Sequence, residues 1–252
     1  MGWNFNSPTS PNKVVRGAVD SVDVSKFVTG SSSTGKVPVI AVLMCHQGQM
    51  SSEFVEKTWL PLKSRALPWC EKQFYLCRVP SLPLARNILV KEALKGNADY
   101  FFWLDSDMLP FSKSDPNELL KELYDALTET GESIASGLYR AKQVHGFNYA
   151  MWQTAPPELG QKGYVNIDKW TGNWIETSVV GCGTLLMRRQ VFEKMGQPYF
   201  SWEIPDSPSE DFNMLEKAKS LGFKTWVLTT NKWEHEARVV VDTDGKFRVP
   251  SV

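Results

Sequence analysis

Apolar and polar positions fall into two kinds of block that take turns along the chain. Residues 37–45, 73–79 and 100–104 are short runs dense in aliphatic and aromatic side chains, the pattern of strands buried on both faces. Between them apolar residues recur at helical spacing. Residues 51–63 read as a helix that Pro61 shortens, and residues 83–95 place Leu84, Ile88 and Leu89 at helical intervals, with Gly96 as the stop. The best-marked helix begins after Asp115, which can cap it. Pro116 takes its first position, Glu118 closes a capping box and Gly131 lies beyond its end. Residues 133–137 form a further short strand. This alternation predicts an α/β fold, a Rossmann-like, mostly parallel central sheet flanked by helices.

Beyond Tyr139 the order breaks. Residues 146–188 hold short β-like pieces rich in aromatics, a smaller β-rich region beside the sheet. A second well-signed helix spans 208–221, with Ser207 as cap, Pro208 at its first position and Gly222 as its stop. A strand at 224–229 follows, then a hairpin over 237–249 turning at Asp242-Thr243-Asp244-Gly245. No internal repeat is present.

Residues 1–36 differ from all of this. They are rich in Ser, Thr, Gly and Pro and bury too little apolar surface to offset their ordering entropy, so a flexible tail is expected, followed by one domain over 37–252. Trp3, Phe5 and Phe27 are the tail residues able to pack on the body. The 252 residues carry 28 Lys+Arg against 28 Asp+Glu, which gives no general electrostatic footprint for nucleic acid. The longest apolar runs, 37–45 and 100–104, fall short of the roughly 20 residues a transmembrane helix needs. No secretory or myristoylation signal opens the chain, so a cytoplasmic protein is expected. Cys45, Cys70, Cys77 and Cys182 lack C-x-x-C spacing and read as buried free thiols.

The first candidate chemistry is Asp105-Ser106-Asp107, directly after the apolar run 100–104. Two carboxylates at the carboxyl end of a buried strand project into the crevice where open α/β sheets bind ligands. Ionised so close together, they call for a divalent cation between them. A second D-x-D, Asp242-Thr243-Asp244, precedes Gly245 between β-like runs and reads as turn chemistry. Gly181 and Gly183 permit close backbone approach to a ligand, or a tight bend between strands. Trp152, Trp170, Trp174 and Trp202 fall in the irregular region, where an indole face can stack on a sugar or serve the core.

Taken in order, these pieces resemble the GT-A class of nucleotide-sugar-dependent glycosyltransferases, small stand-alone bacterial or viral members above all. The likeness runs from about residue 37 to His235. It rests on Cys45-His46-Gln47-Gly48, Leu84-Ala85-Arg86-Asn87, the run from Ala98 to Met108, Ala135-Ser136-Gly137-Leu138-Tyr139-Arg140, the run from Gly181 to Arg189, Ser209-Glu210-Asp211-Phe212 and the late His235. The resemblance implies a GT-A domain with a β-rich acceptor side. It implies a hexosyltransferase-like enzyme moving sugar from a UDP- or GDP-sugar to a glycan or other hydroxyl acceptor, assisted by Mn2+ or Mg2+.

Carried over residue by residue, Asp107 is the metal ligand, Asp105 contacts the nucleotide with possible metal contact, and His235 completes the metal site. Glu234 or Glu236 can replace His235. Arg86 contacts the diphosphate, the His46-Gln47-Gly48 loop contacts the base, and Gly181 and Gly183 line the donor site. Asp211 is the general base on the acceptor hydroxyl, kept ionised by the helix dipole. Glu210 is explained by capping alone. Two rivals stand beside this reading. A haloacid-dehalogenase-type phosphatase also has an apolar strand ending in D-x-D, but there a small residue and a threonine follow where this chain has Met108 and Leu109. The other rival is a non-catalytic nucleotide-sugar or glycan-binding protein.

Overall fold

The structure, a computed structural model, describes residues 36–46, 48, 50–141, 148–156, 158, 163–202, 209–236, 240–241 and 247–248. All of the predicted tail 1–36 except Lys36, Gln47 of the base-contacting loop, Ser207 and Pro208, and the turn Asp242-Thr243-Asp244-Gly245 lie outside the described residues.

The elements, in chain order, begin with strand β1 (Val39–Cys45). A continuous helical stretch follows, made of α1 (Ser52–Phe54), a π-helical segment (Val55–Trp59) and α2 (Leu60–Ser64). Pro61 does not end this helix. A proline ring crowds the carbonyl four residues back, and the widened π turn before it, closed by Leu60 N–H to the Val55 oxygen, absorbs that clash. Then come β2 (Glu71–Cys77), α3 (Leu82–Lys95), β3 (Tyr100–Leu104), β4 (Met108–Pro110), α4 (Pro116–Thr130) and β5 (Ile134–Leu138). Asp115 caps α4 by accepting from Asn117 N–H, and Gly131 ends it with φ 75°. Glu118 turns toward Arg65 rather than closing a capping box.

The irregular region holds β6 (Met151–Thr154), β7 (Tyr164–Asn166), β8 (Trp174–Thr177), β9 (Val179–Val180) and β10 (Thr184–Arg188). After it come α5 (Arg189–Met195), α6 (Glu210–Ser220), the long β11 (Thr225–His235) and the paired β12 (Val240–Val241) and β13 (Phe247–Arg248). Helix α6 starts later than the sequence suggested. Its cap is Ser209, so Glu210 stands at the first helical position.

Eight strands form the central sheet in the order β2-β1-β3-β10-β5-β11-β4, with β8 also on β11. Strands β2, β1, β3, β5 and the first half of β11 run one way, whereas β10 inserts antiparallel between β3 and β5. The sheet is therefore mixed: five of its eight strands run one way, but three of its seven pairings are parallel and four antiparallel. Its side chains alternate faces with period two. Val39, Ala41, Leu43, Phe101 and Trp103 pack under α3, α5 and α6; Ile40, Val42, Met44, Phe102 and Leu104 pack under the helical stretch 52–64 and α4. Both faces are covered, giving a three-layer α/β architecture. The carboxyl ends of β1, β2, β3 and β5 share one edge, and a small sheet β7-β6-β9 leans on α6 beside it.

Among the described residues, no helix is long and apolar enough to cross a membrane. All four cysteines are free thiols, and burial pushes Cys45 up to about 12 and Cys70 up to about 11.

Candidate functional site at the carboxyl edge of the sheet

Strand β3 is buried along its whole length, so the chain leaving it delivers Asp105 directly to the carboxyl edge. Two backbone ties fix the loop. Asp105 N–H donates to the Gly183 carbonyl at 3.0 Å, and Met108 N–H returns to the Asp105 carbonyl at 3.2 Å. The chain then re-enters the sheet as β4, which pairs with the far end of β11 in the register His235 to Met108 and Trp233 to Pro110. That pairing carries His235 to the D-x-D loop, and Glu236 N–H closes it by donating to the Asp107 carbonyl at 2.8 Å.

His235 lies with Nδ1 3.2 Å from the Arg140 carbonyl oxygen and Nε2 3.3 Å from Asp107 Oδ1. A carbonyl only accepts, so Nδ1 carries the hydrogen, and in a neutral ring Nε2 presents its lone pair to a carboxylate. Two lone pairs face each other there unless a proton or a cation lies between. The spacing suits neighbouring ligands of one cation with bonds of about 2.1 Å. Tyr139 holds the imidazole from the side in an edge-on contact, centroids 5.8 Å apart. The alternatives to His235 point elsewhere: Glu234 is exposed, and Glu236 accepts from Ser51 Oγ at 2.6 Å. Among the described residues no three His, Cys, Asp or Glu side chains converge on one point. Asp107 and His235 form an adjacent carboxylate–imidazole pair.

Asp105 turns the other way, to Arg86 Nη2 at 3.4 Å. Arg86, expected at the diphosphate, is only 3% exposed and is spent on protein groups. Its Nη1 donates to Glu210 at 2.7 Å and lies 3.9 Å from Asp211, while the guanidinium sits 5.9 and 5.5 Å from the ring centroids of Trp103 and Phe200. Burial works against the Arg86 charge, but the Cys182 sulfur and the carboxylates of Asp105, Glu210 and Asp211 outweigh that and hold its pKa well above the ordinary value. Glu210 moves the opposite way to what a simple ion pair predicts. Burial raises its pKa first, Arg86 lowers it, and Asp211 and Asp105 push it up again, because three carboxylates compete for one cation. Burial likewise raises Asp105, opposed by Arg86 and reinforced by Asp107. The capping explanation of Glu210 is thereby corrected: it is a buried ion-pair partner.

Asp211 is 14% exposed and firmly held. Its Oδ2 accepts from Cys182 N–H at 3.2 Å; its Oδ1 accepts from Phe212 N–H at 3.0 Å and from Ser209 Oγ. A carboxylate offers about four lone-pair sites, so three donors leave one free.

At Gly181 and Gly183 the backbone is approached closely by Tyr139. A Cβ on Gly181 would stand 2.4 Å from the Tyr139 hydroxyl, and one on Gly183 2.8 Å from Tyr139 Cζ. Gly183 N–H also donates to that hydroxyl at 2.9 Å. The glycines make room for Tyr139, whose buried ring braces the D-x-D loop and His235 together. Asn87 is likewise structural, its side chain tying α3 to the backbone of Tyr199 and Phe200.

His46 begins the loop after β1, with its N–H on the Cys77 carbonyl and its Nδ1 accepting from Gly48 N–H. Gly48, at φ 97°, lies so close to the Arg78 guanidinium that a Cβ would stand 2.5 Å from it. Arg78 is thus an exposed cation at the carboxyl end of β2 that the sequence reading passed over. Of the four tryptophans, Trp174 stacks on Trp226 at 5.3 Å and belongs to the core. Trp152 packs on Phe212 and Trp170 on Tyr149, both half-buried, whereas Trp202 is 59% exposed.

Fold and site together define a three-layer mixed α/β protein, compatible with a Rossmann-like fold, whose sheet edge carries an acidic, arginine-bridged cluster. The chain is similar in structure to A197 from STIV, with a TM-score of 0.55 at 18% identity over 84% of this chain and 94% of that chain; at this identity the likeness shows a shared fold. An apo UDP-glucose pyrophosphorylase superposes with a TM-score of 0.41 at 12% identity, over 79% of this chain and 74% of that one. No protein-family model matches the sequence, and no curated protein matches it.

Proposed function

We propose that this protein is a GT-A-type glycosyltransferase that moves a sugar from a UDP- or GDP-sugar to an acceptor hydroxyl with the help of Mn2+ or Mg2+. The observation that carries the reading is the pairing of β4 with β11, which brings His235 Nε2 to Asp107 at the carboxyl end of the central strand. One imidazole and one carboxylate oxygen suit Mn2+, and Mg2+ sites commonly combine one or two carboxylates with substrate phosphates. Charge supports the same reading. Asp105, Glu210 and Asp211 gather around the buried Arg86 and Asp107 lies on the same loop as Asp105, so an anionic diphosphate meets a negative floor unless a divalent cation stands between. When bound, that cation stabilises the charge that gathers on the departing nucleoside diphosphate.

The chain's own groups divide the remaining work. His46 and Arg78 stand at the carboxyl ends of β1 and β2, on the side where the nucleoside would lie. Asp211 faces the crevice from α6 with one lone pair available to take the acceptor proton. Trp202 offers an exposed indole face beside α6 for a sugar to stack on. Met108 and Leu109, where the phosphatase alternative expected a small residue and a threonine, are buried in β4.

A calorimetric screen of UDP-, GDP-, CMP- and dTDP-sugars, each with and without Mn2+, tests the proposal, with a hydrolysis assay on every ligand that binds. Mn2+-dependent binding of a UDP- or GDP-sugar, with slow release of sugar, is expected. Turnover of phosphomonoesters without nucleotide preference would overturn it, and binding with no hydrolysis or transfer would favour a pure binding protein.

A further inference from the structure

The buried Arg86 guanidinium touches both the D-x-D loop and the start of α6. From α3 it reaches Asp105 of the D-x-D loop through Nη2 and Glu210 of α6 through Nη1, with Asp211 3.9 Å from the same nitrogen. Protein groups enclose Arg86: the side chain is 3% exposed, the Trp103 and Phe200 rings lie within 6 Å of it, and Glu210 opposite is equally buried. A planar fork is needed for such a bridge, because two carboxylates in different directions must each meet an in-plane N–H.

From this geometry we infer that Arg86 is a positioning residue that fixes the spacing between the donor-side carboxylates and the acceptor-side Asp211, and that it does not bind the diphosphate. The inference rests on the proposed transferase reading and deepens it. Asp105 owes its direction to Arg86, and the first turn of α6 owes its place at the loop to Glu210. Transfer then depends on Arg86 through the relative placement of two reacting partners, where an error of about 1 Å can cost a hundredfold in rate. Donor affinity depends on it little.

Two variants test this. Arg86→Lys keeps the charge and removes the fork. The double variant Arg86→Met with Glu210→Leu replaces the buried pair by apolar side chains of similar size, a change that folds tolerate when both partners leave together. It removes the one carboxylate as deeply buried as Arg86, whereas Asp105 reaches solvent at 35% exposure and Asp211 keeps its own three donors. In both variants the Mn2+-dependent Kd for UDP or GDP should stay close to wild type, while kcat falls by about a hundredfold with KM little changed. A crystal structure of the double variant should show Asp105 and the first turn of α6 displaced relative to each other.

A rise in nucleotide Kd of about tenfold or more would make Arg86 a direct ligand and overturn the inference. Full transfer in the double variant would reduce the pair to a strut, which also overturns it. The crystal structure decides even if no nucleotide sugar is ever turned over: an unmoved Asp105 and α6 refute the positioning role, whereas a displaced pair beside an inactive wild-type protein would count against the transferase reading alone.

Discussion

At the scale of single residues the site is a contest among carboxylates for too few cations. Asp105 shows its cost. Burial raises its pKa more than Arg86 lowers it, so its ionised form is less favourable in the folded chain than in the unfolded one. Such a group contributes stability that is present below the ordinary carboxylate range and lost as pH rises through the folded value. Asp105→Asn should therefore raise the melting temperature at neutral pH, and the gain should shrink as pH falls toward about 4. A variant equally or less stable than wild type at pH 7 would show that the Arg86 pairing outweighs burial. Asp211 differs in its partners, since three donors bond its two carboxylate oxygens. Asp211→Asn must turn its amide NH2 toward at least one of those donors, so some loss of stability accompanies the loss of the proton acceptor. Transfer should fall about a hundred- to ten-thousand-fold while Mn2+-dependent nucleotide binding persists. Near-normal turnover, or a product of retained anomeric configuration, would leave Asp211 as a positioning group for acceptor or donor.

At the scale of elements, Tyr139 shows how the segments lean on one another. It follows β5, and its hydroxyl fills the space between Gly181 and Gly183 just before β10. Gly183→Ala sets a Cβ within 3.1 Å of Tyr139 and Met108, an overpacking that should cost about 1–3 kcal/mol and displace the D-x-D loop. Gly131→Ala is the control. Nothing lies within 4 Å of its Cβ, so only the left-handed backbone at φ 75° is penalised, by about 1–2 kcal/mol, with the site untouched. Denaturant titration reads both costs; loss of Mn2+-dependent binding in Gly131→Ala as well would refute a local role for the Tyr139 cradle. Several elements were legible in the sequence because their signals are local. The run 100–104 matches β3, and Asp115, Pro116 and Gly131 bracket α4 as read. The second half of β11 was not legible. Polar Asn231 and Lys232 interrupt the alternation there and read as a loop, yet Asn231 is fully buried, bonded to the Leu119 carbonyl, Glu122 and the Trp233 indole while the strand shifts register. A tertiary site for an asparagine leaves no periodic trace. The start of α6 was misread for a related reason: Ser207-Pro208 makes a good local cap, whereas the partner that fixes Glu210 is Arg86, 124 residues away.

At the scale of the whole molecule the same division holds between local and distant information. The α/β alternation was readable from period and punctuation, and it placed Asp105 and Asp107 at a strand's carboxyl end. The antiparallel insertion of β10 between β3 and β5 was not, because strand order depends on pairings across the chain that hydropathy does not encode. It matters to function, since β10 brings Gly181, Cys182 and Gly183 beside the D-x-D loop and gives Asp211 one of its donors. Resemblance to a family named candidate residues, and the geometry redistributed their work: Arg86 went inside, the two glycines went to Tyr139, and Glu210 joined the crevice. The central claim is that Asp107 and His235 share the cation on which the donor rests. Calorimetric titration of UDP- or GDP-sugar with and without Mn2+, on wild type, Asp107→Ala and His235→Ala, tests it most directly. The account predicts Mn2+-dependent binding in wild type, weakened at least about tenfold in each variant with melting temperature unchanged, whereas binding that ignores Mn2+, or that survives intact in both variants, would contradict it.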